Sequence, residues 1–366
     1  MQKRVILVAG ARPNFMKIAP IWLEMNRFPS HFAPVILHTG QHYDYDMSKA
    51  FFEDLDLPEP HYFLGVGSGT HAEQTARTMI EFEKVLLKEK PDWVMVFGDV
   101  NSTLACSVTA KKLLIPIAHV EAGLRSFDMT MPEEINRKLT DAISDLLFTP
   151  SMDGNRNLVQ EGVSADKIHF VGNIMIDSLV RVLYRITEHD EDRVLNEFSL
   201  KRGHYVLVTL HRPSNVDKKE TLWKILSFLS ALSSRIPIIF PVHPRTKKNM
   251  DGFGVKGPLQ QNFKIIEPLR YREFIALEKR PQFVLTDSGG IQEETTYLNV
   301  PCLTLRPNTE RPVTIVEGTN ELVTIDQLEK KADLILNGSW KQGRIPELWD
   351  GKTAERILNV LRELEL

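Results

Sequence analysis

Short β-branched runs alternate with longer helical segments along this 366-residue chain, and the alternation runs through two successive series. That order leaves few folds open, because a strand, a helix and a further strand in sequence build a parallel sheet with helices on both faces. The first series predicts strands at Val5–Val8, Val35–His38, Trp93–Phe97, Ile117–Val120, Leu146–Thr149 and Ile168–Val171. Helical patterns fall between them near 16–27, 45–55, 70–88, 101–114, 132–144 and 152–161, the third opening on the capping box Thr70-His71-Ala72-Glu73. The second series predicts strands at Val206–Leu210, Ile238–Val242, Lys264–Ile266, Phe283–Thr286, Cys302–Leu305 and Leu322–Thr324, with helices near 218–234, 271–279, 289–298 and 326–337. The fold class is therefore α/β: two doubly wound, Rossmann-like parallel-sheet domains facing each other across a cleft. The first is expected over 1–173, ending after Val171-Gly172-Asn173, and the second over 174–350. A helix near 174–186 follows the seam, then the acidic, polar stretch His189-Asp190-Glu191-Asp192, and an amphipathic helix near 352–365 closes the chain.

Composition narrows the partners. A net charge of -3 gives no reason to expect a nucleic acid or an anionic membrane surface. No apolar run approaches the roughly 18 residues of a membrane span, and Val5-Ile6-Leu7-Val8 is too short for a signal-peptide core. Cys106 and Cys302 lie far apart in apolar contexts without metal-ligand spacing, as expected of buried thiols in a cytoplasmic protein.

Open α/β sheets bind ligands beyond the carboxyl ends of their strands, so the residues just after each strand carry the functional reading. After Phe283–Thr286 come Asp287-Ser288-Gly289-Gly290 and then Glu294. Ser288 stands at a helix N-cap, the glycines let a ligand approach the backbone, and the helix N-terminus favours a phosphate. Glu294, about 1.5 turns further on, can accept hydrogen bonds from a sugar hydroxyl. After the first strand, Arg12 and Lys17 flank a helix N-terminus and suit a diphosphate. No G-x-G-x-x-G occurs there, which argues against a nicotinamide cofactor.

Asp99 follows Trp93–Phe97 and Glu121 follows Ile117–Val120, flanked by His119. Adjacent strand ends lie close together, so the two carboxylates can share one site, and neighbouring carboxylates suit an acid and a base. Pro132-Glu133-Glu134 opens the next helix, where acids also favour the helix dipole, and Arg137 stands four residues beyond Glu133, in range of an ion pair. In the second series His211-Arg212, His243-Pro244-Arg245 and Thr309-Glu310-Arg311 repeat the placement of titratable groups at strand ends.

Taken together, Arg12-Pro13 with Lys17, Gln41-His42, Gly98-Asp99, His119 through Arg125, Pro132-Glu133-Glu134 with Asn136-Arg137, His211-Arg212, Asp287 through Glu294 and Glu310-Arg311-Pro312 resemble the non-hydrolysing UDP-N-acetylglucosamine 2-epimerases, from Arg12 to about Val323. The resemblance implies the two-domain B-type glycosyltransferase architecture, with residues 351–366 forming a helix that crosses back to the N-terminal domain. It implies interconversion of UDP-N-acetylglucosamine and UDP-N-acetylmannosamine through anti elimination of UDP, a 2-acetamidoglucal and re-addition. By resemblance, Asp99, Glu121 and Glu133 supply the acid/base set and His211 assists near the diphosphate. Arg12, Lys17 and Arg137 support the charge of the cleft, Ser288, Gly289 and Gly290 hold phosphate oxygens, Glu294 holds the ribose and Phe274 lies against uracil. His243 and Arg311 join the substrate-binding candidates. Neither cofactor nor metal is called for, the partner is a UDP-sugar, and the family implies a homodimer.

The segment Thr39 through Asp46 is also similar to relatives that epimerise diacetamido uronic acid nucleotides, which keeps the sugar open. A UDP-sugar glycosyltransferase, a hydrolysing epimerase and a non-catalytic nucleotide-sugar sensor are the competing readings. Three acids at the first domain's strand ends favour the epimerase over a transferase, which needs one base.

Overall fold

The computed structural model describes residues 2–40, 52, 54–254 and 262–364. The chain divides into two compact units, one of Met1–Val180 with Glu347–Leu366 and one of Arg181–Pro346.

The first unit holds β1 (Lys3–Ala9), β2 (Phe32–His38), β3 (Tyr62–Phe63), β4 (Trp93–Phe97), β5 (Ile117–Val120), β6 (Leu146–Thr149) and β7 (Ile168–Phe170). All pair in parallel, in the order β3-β2-β1-β4-β5-β6-β7. The second unit holds β8 (Val206–Thr209), β9 (Ile238–Pro241), β10 (Phe263–Ile266), β11 (Phe283–Thr286), β12 (Cys302–Thr304) and β13 (Asn320–Leu322), again all parallel, in the order β10-β9-β8-β11-β12-β13. Each sheet grows outward in both directions from its first strand. The order therefore reverses between β1 and β4 in one unit and between β8 and β11 in the other, and these switch points are where such sheets open a crevice.

The sequence of the strands explains their depth. Val5–Ala9 and Trp93–Phe97 are apolar at every position and buried at every position, as a sheet covered on both faces requires. Ile6, Val8, Val94 and Val96 pack with Phe82 and Leu86 of the helix His71–Glu89 and with Cys106 and Ala110 of the helix Asn101–Lys112. Val206, Val208, Ile238, Phe240, Phe283 and Leu285 do the same in the second unit against Leu226 and Leu229 of the helix Lys219–Ser233. Both cysteines are buried, and burial pushes the Cys302 thiol up to about 12, so neither is a reactive thiolate.

Several elements depart from expectation for local reasons. The first helix begins at Arg12 rather than near 16, because Pro13 suits a first turn and the Asn14 side chain accepts from Gly10 N (3.0 Å) and Ala11 N (2.8 Å). The polar stretch around His189 is a helix, Glu188–Glu197, capped reciprocally by Thr187 and Asp190, with Glu191, Val194 and Leu195 turned inward. Pro244 likewise starts a helix, Pro244–Gly252, where none was expected. The last strand lies at Asn320–Leu322, two residues early, in register with Cys302–Thr304. The Thr70 capping box forms, with Thr70 N donating to Glu73 at 2.9 Å. The helix expected near 45–55 lies largely outside the described residues.

The break at Val180 falls inside the helix Ile174–Leu183, whereas the seam was expected at 173. The closing helix, Thr353–Glu363, groups with the first unit. Asp177 accepts its first two amides, Thr353 N (3.0 Å) and Ala354 N (2.8 Å), while Trp349 Nε1 donates to Pro150 O at 2.9 Å. Gly172 has φ +91 and a Cβ there would sit 2.1 Å from Leu348 O, so only glycine lets the two chain segments meet.

Candidate active site

In the first unit, the candidates gather at the carboxyl ends of β1, β4 and β5. Asp99 sits in the turn after β4, with its side chain about a third exposed. Arg137, buried, donates to Asp99 Oδ2 at 2.6 Å, and Asn136 Nδ2 donates to Asp99 O at 2.8 Å. Glu121 follows β5 with φ +74 and is buried; Lys17, also buried, donates its Nζ to Glu121 Oε2. Gly98, at φ +64, makes room for this pair, since a Cβ there would lie 2.9 Å from Lys17 Nζ and 3.4 Å from Glu121 Oε2. Each strand-end carboxylate thus has its own cation.

Arg137 does not form the anticipated ion pair with Glu133. It reaches Glu134 instead, at 2.7 Å, while Ser126 N and Ser126 Oγ donate to the same carboxylate at 2.8 and 2.9 Å and Phe127 N at 3.1 Å. Glu134 is buried and committed to this scaffold, whereas Glu133, in the same first turn of the helix Pro132–Ile143, is exposed. Arg12 opens its helix, but its side chain lies outside the described residues, as do Gln41-His42 and the Tyr43–Asp46 segment that follows.

Sequence reasoning missed the residue that braces this corner. Asp141, fully buried, accepts from His119 Nδ1 (2.6 Å), Arg125 Nη1 (2.7 Å) and Gly123 N (3.1 Å), and Arg125 continues to Glu161 at 2.6 Å. His119 Nε2 lies 2.9 Å from Gly98 O, so each ring nitrogen faces an oxygen acceptor. Burial pushes the Asp141 carboxyl up, but the charges and hydrogen bonds of His119 and Arg125 outweigh it and hold the carboxyl below its ordinary value. A sequence signal existed: Glu134, Arg137 and Asp141 recur at i, i+3 and i+7, a charged stripe on a face that the helix buries.

In the second unit, Asp287 follows β11 and is fully buried. It accepts from His211 N (3.1 Å), Arg212 N (2.9 Å) and Asn215 Nδ2 (3.0 Å), and His211 Nδ1 stands 3.0 Å from its Oδ1. Burial raises this carboxyl too, and the His211, Asn215 and Arg212 donors overcome the rise and leave it below its ordinary value. Asp287 thereby ties the mouth of β8 to that of β11. It also fixes the His211 ring through Nδ1, leaving Nε2 on a side chain that is 40% exposed. The His243 ring lies tilted against that of His211, their centroids 5.4 Å apart, while His243 Nδ1 accepts from Arg245 N as a helix cap; burial and the neighbouring His211 lower its basicity.

Ser288 occupies the N-cap position of the helix Gly289–Leu298 without a side-chain cap bond, and Gly290 stands in its first turn. A Cβ on Gly289 would lie 2.8 Å from Arg311 Nη1, so glycine admits that guanidinium to the helix N-terminus. Arg311 is held there by Glu293 at 2.8 Å and by Glu310, which also takes Arg306 at 2.8 Å. Its first partners are therefore protein carboxylates. Phe274 is partly buried on the helix Tyr271–Glu278. Glu294 is buried and accepts from Tyr271 Oη at 2.7 Å. Among the described residues no cluster of three His, Cys, Asp or Glu could hold a metal ion, and no helix is long and apolar enough to cross a membrane.

A family model described as UDP-N-acetylglucosamine 2-epimerase matches residues 24–362. The chain is similar to the UDP-N-acetylglucosamine 2-epimerase of Methanocaldococcus jannaschii, 46% identical over 368 residues that cover 98% of each chain. It is also similar to the UDP-2,3-diacetamido-2,3-dideoxy-D-glucuronate 2-epimerase of Pseudomonas aeruginosa, 42% identical over 324 residues, covering 87% of this chain and 88% of that one. The crystal structure of the M. jannaschii enzyme in complex with UDP-GlcNAc and UDP aligns with a TM-score of 0.87, over 98% of this chain and 99% of the other.

Proposed function

We infer the activity of this chain from its family: it belongs to the UDP-N-acetylglucosamine 2-epimerases, and the two-sheet fold of the B-type glycosyltransferase class is theirs. It is an enzyme that interconverts UDP-N-acetylglucosamine and UDP-N-acetylmannosamine without net hydrolysis. The C2 proton of the sugar has no adjacent carbonyl to acidify it, so its removal is coupled to departure of UDP from C1. A carboxylate takes the proton, the C2–H electron pair becomes the C1–C2 double bond, and the C1–O bond breaks toward the diphosphate, leaving 2-acetamidoglucal. Re-addition of UDP to C1, with a proton delivered to the opposite face of C2, gives the epimer.

The observation that carries this reading is the pair of strand-end carboxylates, Asp99 and Glu121, on the neighbouring strands β4 and β5, each with a cation in contact. With Glu133, exposed at the next helix start, they form the proposed acid/base set. Glu134 is a poor candidate because the scaffold occupies its oxygens. Departing diphosphate is stabilised by the N-terminus of the helix Gly289–Leu298 with Ser288, Gly289, Gly290 and the Arg311 guanidinium behind them, and by His211 Nε2. Arg12 and Lys17 add positive charge, Arg137 holds Asp99, His243 supports His211, Glu294 takes the ribose and Phe274 the uracil. Positive groups and helix amides cover the diphosphate, so the scheme needs no metal and no cofactor. The protein is proposed to act as a cytoplasmic homodimer, which sedimentation equilibrium would read as twice the chain mass.

Proton NMR with UDP-N-acetylglucosamine in D2O tests the reading. Deuterium at C2 together with UDP-N-acetylmannosamine supports it; free N-acetylmannosamine with UDP would replace it with a hydrolysing reaction. The 42% identity to the P. aeruginosa enzyme favours one second reading, the same chemistry on a diacetamido uronic acid nucleotide. Exchange at C2 of that substrate alone would select it.

A further inference from the structure

Beyond β12 the chain enters a ladder of four charges packed against the helix Gly289–Leu298. Arg306 Nη2 donates to Glu310 Oε2 at 2.8 Å, Glu310 Oε1 takes Arg311 Nη1, and Arg311 Nε reaches Glu293 Oε1 at 2.8 Å. All four residues are more than nine-tenths buried. Gln292 fixes the loop that carries three of them to the helix: its Oε1 accepts from Thr309 Oγ1 at 2.7 Å and its Nε2 donates to Ser288 O at 3.1 Å. Arg311 thus stands behind Gly289, at the helix N-terminus, in contact with two carboxylates. By itself it would be outnumbered, and an anion arriving there would meet a net negative charge. Arg306 changes the sum by sharing Glu310, so that two cations face two carboxylates. Its Nη1 is buried and has no hydrogen-bond partner among the described residues. Leaving a buried donor unfilled is costly, so hydrogen bonding and packing alone do not account for an arginine at this position.

We propose that Arg306 is a positioning residue for the diphosphate: by matching Glu310 it keeps the ladder behind the phosphate helix neutral, so that the helix amides and Arg311 receive an anion without an opposing charge. With Arg306 in place, Glu310 has its own cation and Glu293 has Arg311. The positive end of the helix then acts on the diphosphate undiminished. Without Arg306 the same ladder carries one net negative charge, set against the helix end that should draw the leaving group. Arg306 acts through Glu310 and Arg311, and its effect is confined to the phosphates, since uridine offers no charge for the ladder to act on. This rests on the assignment of Arg311 and the helix Gly289–Leu298 to the diphosphate.

Calorimetric titration of the full chain with UDP and with uridine tests both layers. Arg311→Met should cut the preference for UDP over uridine at least about tenfold, the worth of one hydrogen bond to a charged group. An unchanged preference there would overturn the diphosphate assignment itself. Arg306→Met should cut the same preference about tenfold, the order expected of one unbalanced charge two side chains from the anion, and leave uridine affinity as it was. Arg306→Lys keeps the charge and should hold the preference within about threefold. Combining Arg306→Met with Glu310→Gln removes both charges and should restore the preference. That double variant is informative even if the single one does not fold, since neutral groups often replace a buried ion pair without loss of stability. With Arg311→Met effective, three results would overturn the role of Arg306 alone. They are an unchanged preference in Arg306→Met, equal losses for UDP and uridine in that variant, and a loss of about tenfold in the lysine or the double variant.

Discussion

Replacing Asp141 with Asn tests whether the strand-end carboxylates depend on a buried brace they do not touch. Asp141 gathers three donors, His119 Nδ1, Arg125 Nη1 and Gly123 N, all within 3.1 Å. Asparagine keeps one acceptor oxygen, turns an amide donor toward a donor, and removes the charge that balances a guanidinium with no exposed side-chain surface. Breaking a buried pair from one side costs about 3–5 kcal/mol. Arg125 retains Glu161, whose side chain is 29% exposed, so the lower end, about 3 kcal/mol, is the expected loss. For a unit of roughly 200 residues each kcal/mol moves Tm by about 2–4 °C, giving a fall of about 6–12 °C in the first unit. Scanning calorimetry at pH 7 measures it. The sign with pH follows from the folded carboxyl lying below its unfolded value: its contribution is present above the unfolded pKa, about 3.9, and is lost as pH falls through the folded one. The gap between parent and variant should therefore narrow on acidification. A shift under about 2 °C at pH 7, or a gap that widens toward acid, would refute the reasoning.

Asp99→Asn and Glu121→Gln should each keep UDP affinity in calorimetry while turnover falls about 100- to 10,000-fold, and full activity in either removes that residue from the acid/base set. Lys17→Met leaves a buried Glu121 without its cation, so the acid limb of kcat/KM should move to higher pH; an unmoved limb would show that the titrating group lies elsewhere. Gly289→Ala places a Cβ 2.8 Å from Arg311 Nη1 and should weaken UDP binding about tenfold, a shift of about 1.4 kcal/mol, while uridine binding holds. Equal losses for uridine and UDP would mean that the helix N-terminus does not serve the phosphates.

The sheet strands were legible because a parallel sheet covered on both faces demands continuous apolar runs, and Val5–Val8, Trp93–Phe97 and Phe283–Thr286 supply them without ambiguity. The helices Glu188–Glu197 and Pro244–Gly252 were harder to see. Each carries few apolar residues, and its start lies in a cap, Thr187 with Asp190 in one and His243 with Pro244 in the other, rather than in a periodic stripe. The strand-end residues were readable as a set, since topology alone puts the ends of β1, β4, β8 and β11 at switch points. What surrounds them was not. Asp141 and Glu278 look like ordinary surface acids until their helix faces are known to be buried, and the choice of Glu134 over Glu133 as partner for Arg137 depends on where the loop carrying Ser126 and Phe127 donates its amides.

The two units repeat one topology yet equip their switch points oppositely, and the difference bears on the reaction. In the first, carboxylates stand at the strand ends and each is matched to a cation, Asp99 to Arg137 and Glu121 to Lys17. In the second, the strand-end acid Asp287 is buried and turned back on its own scaffold, so that its mouth presents a histidine and helix amides. A transferase needs one base and an anion site, and the second set with a single acid would suffice. Removing a proton from one face of C2 and returning one to the other needs separately placed proton carriers. In the proposed reaction Asp99 and Glu121, at neighbouring strand ends and each matched to its own cation, would supply them, as one carboxylate reorienting in place would not.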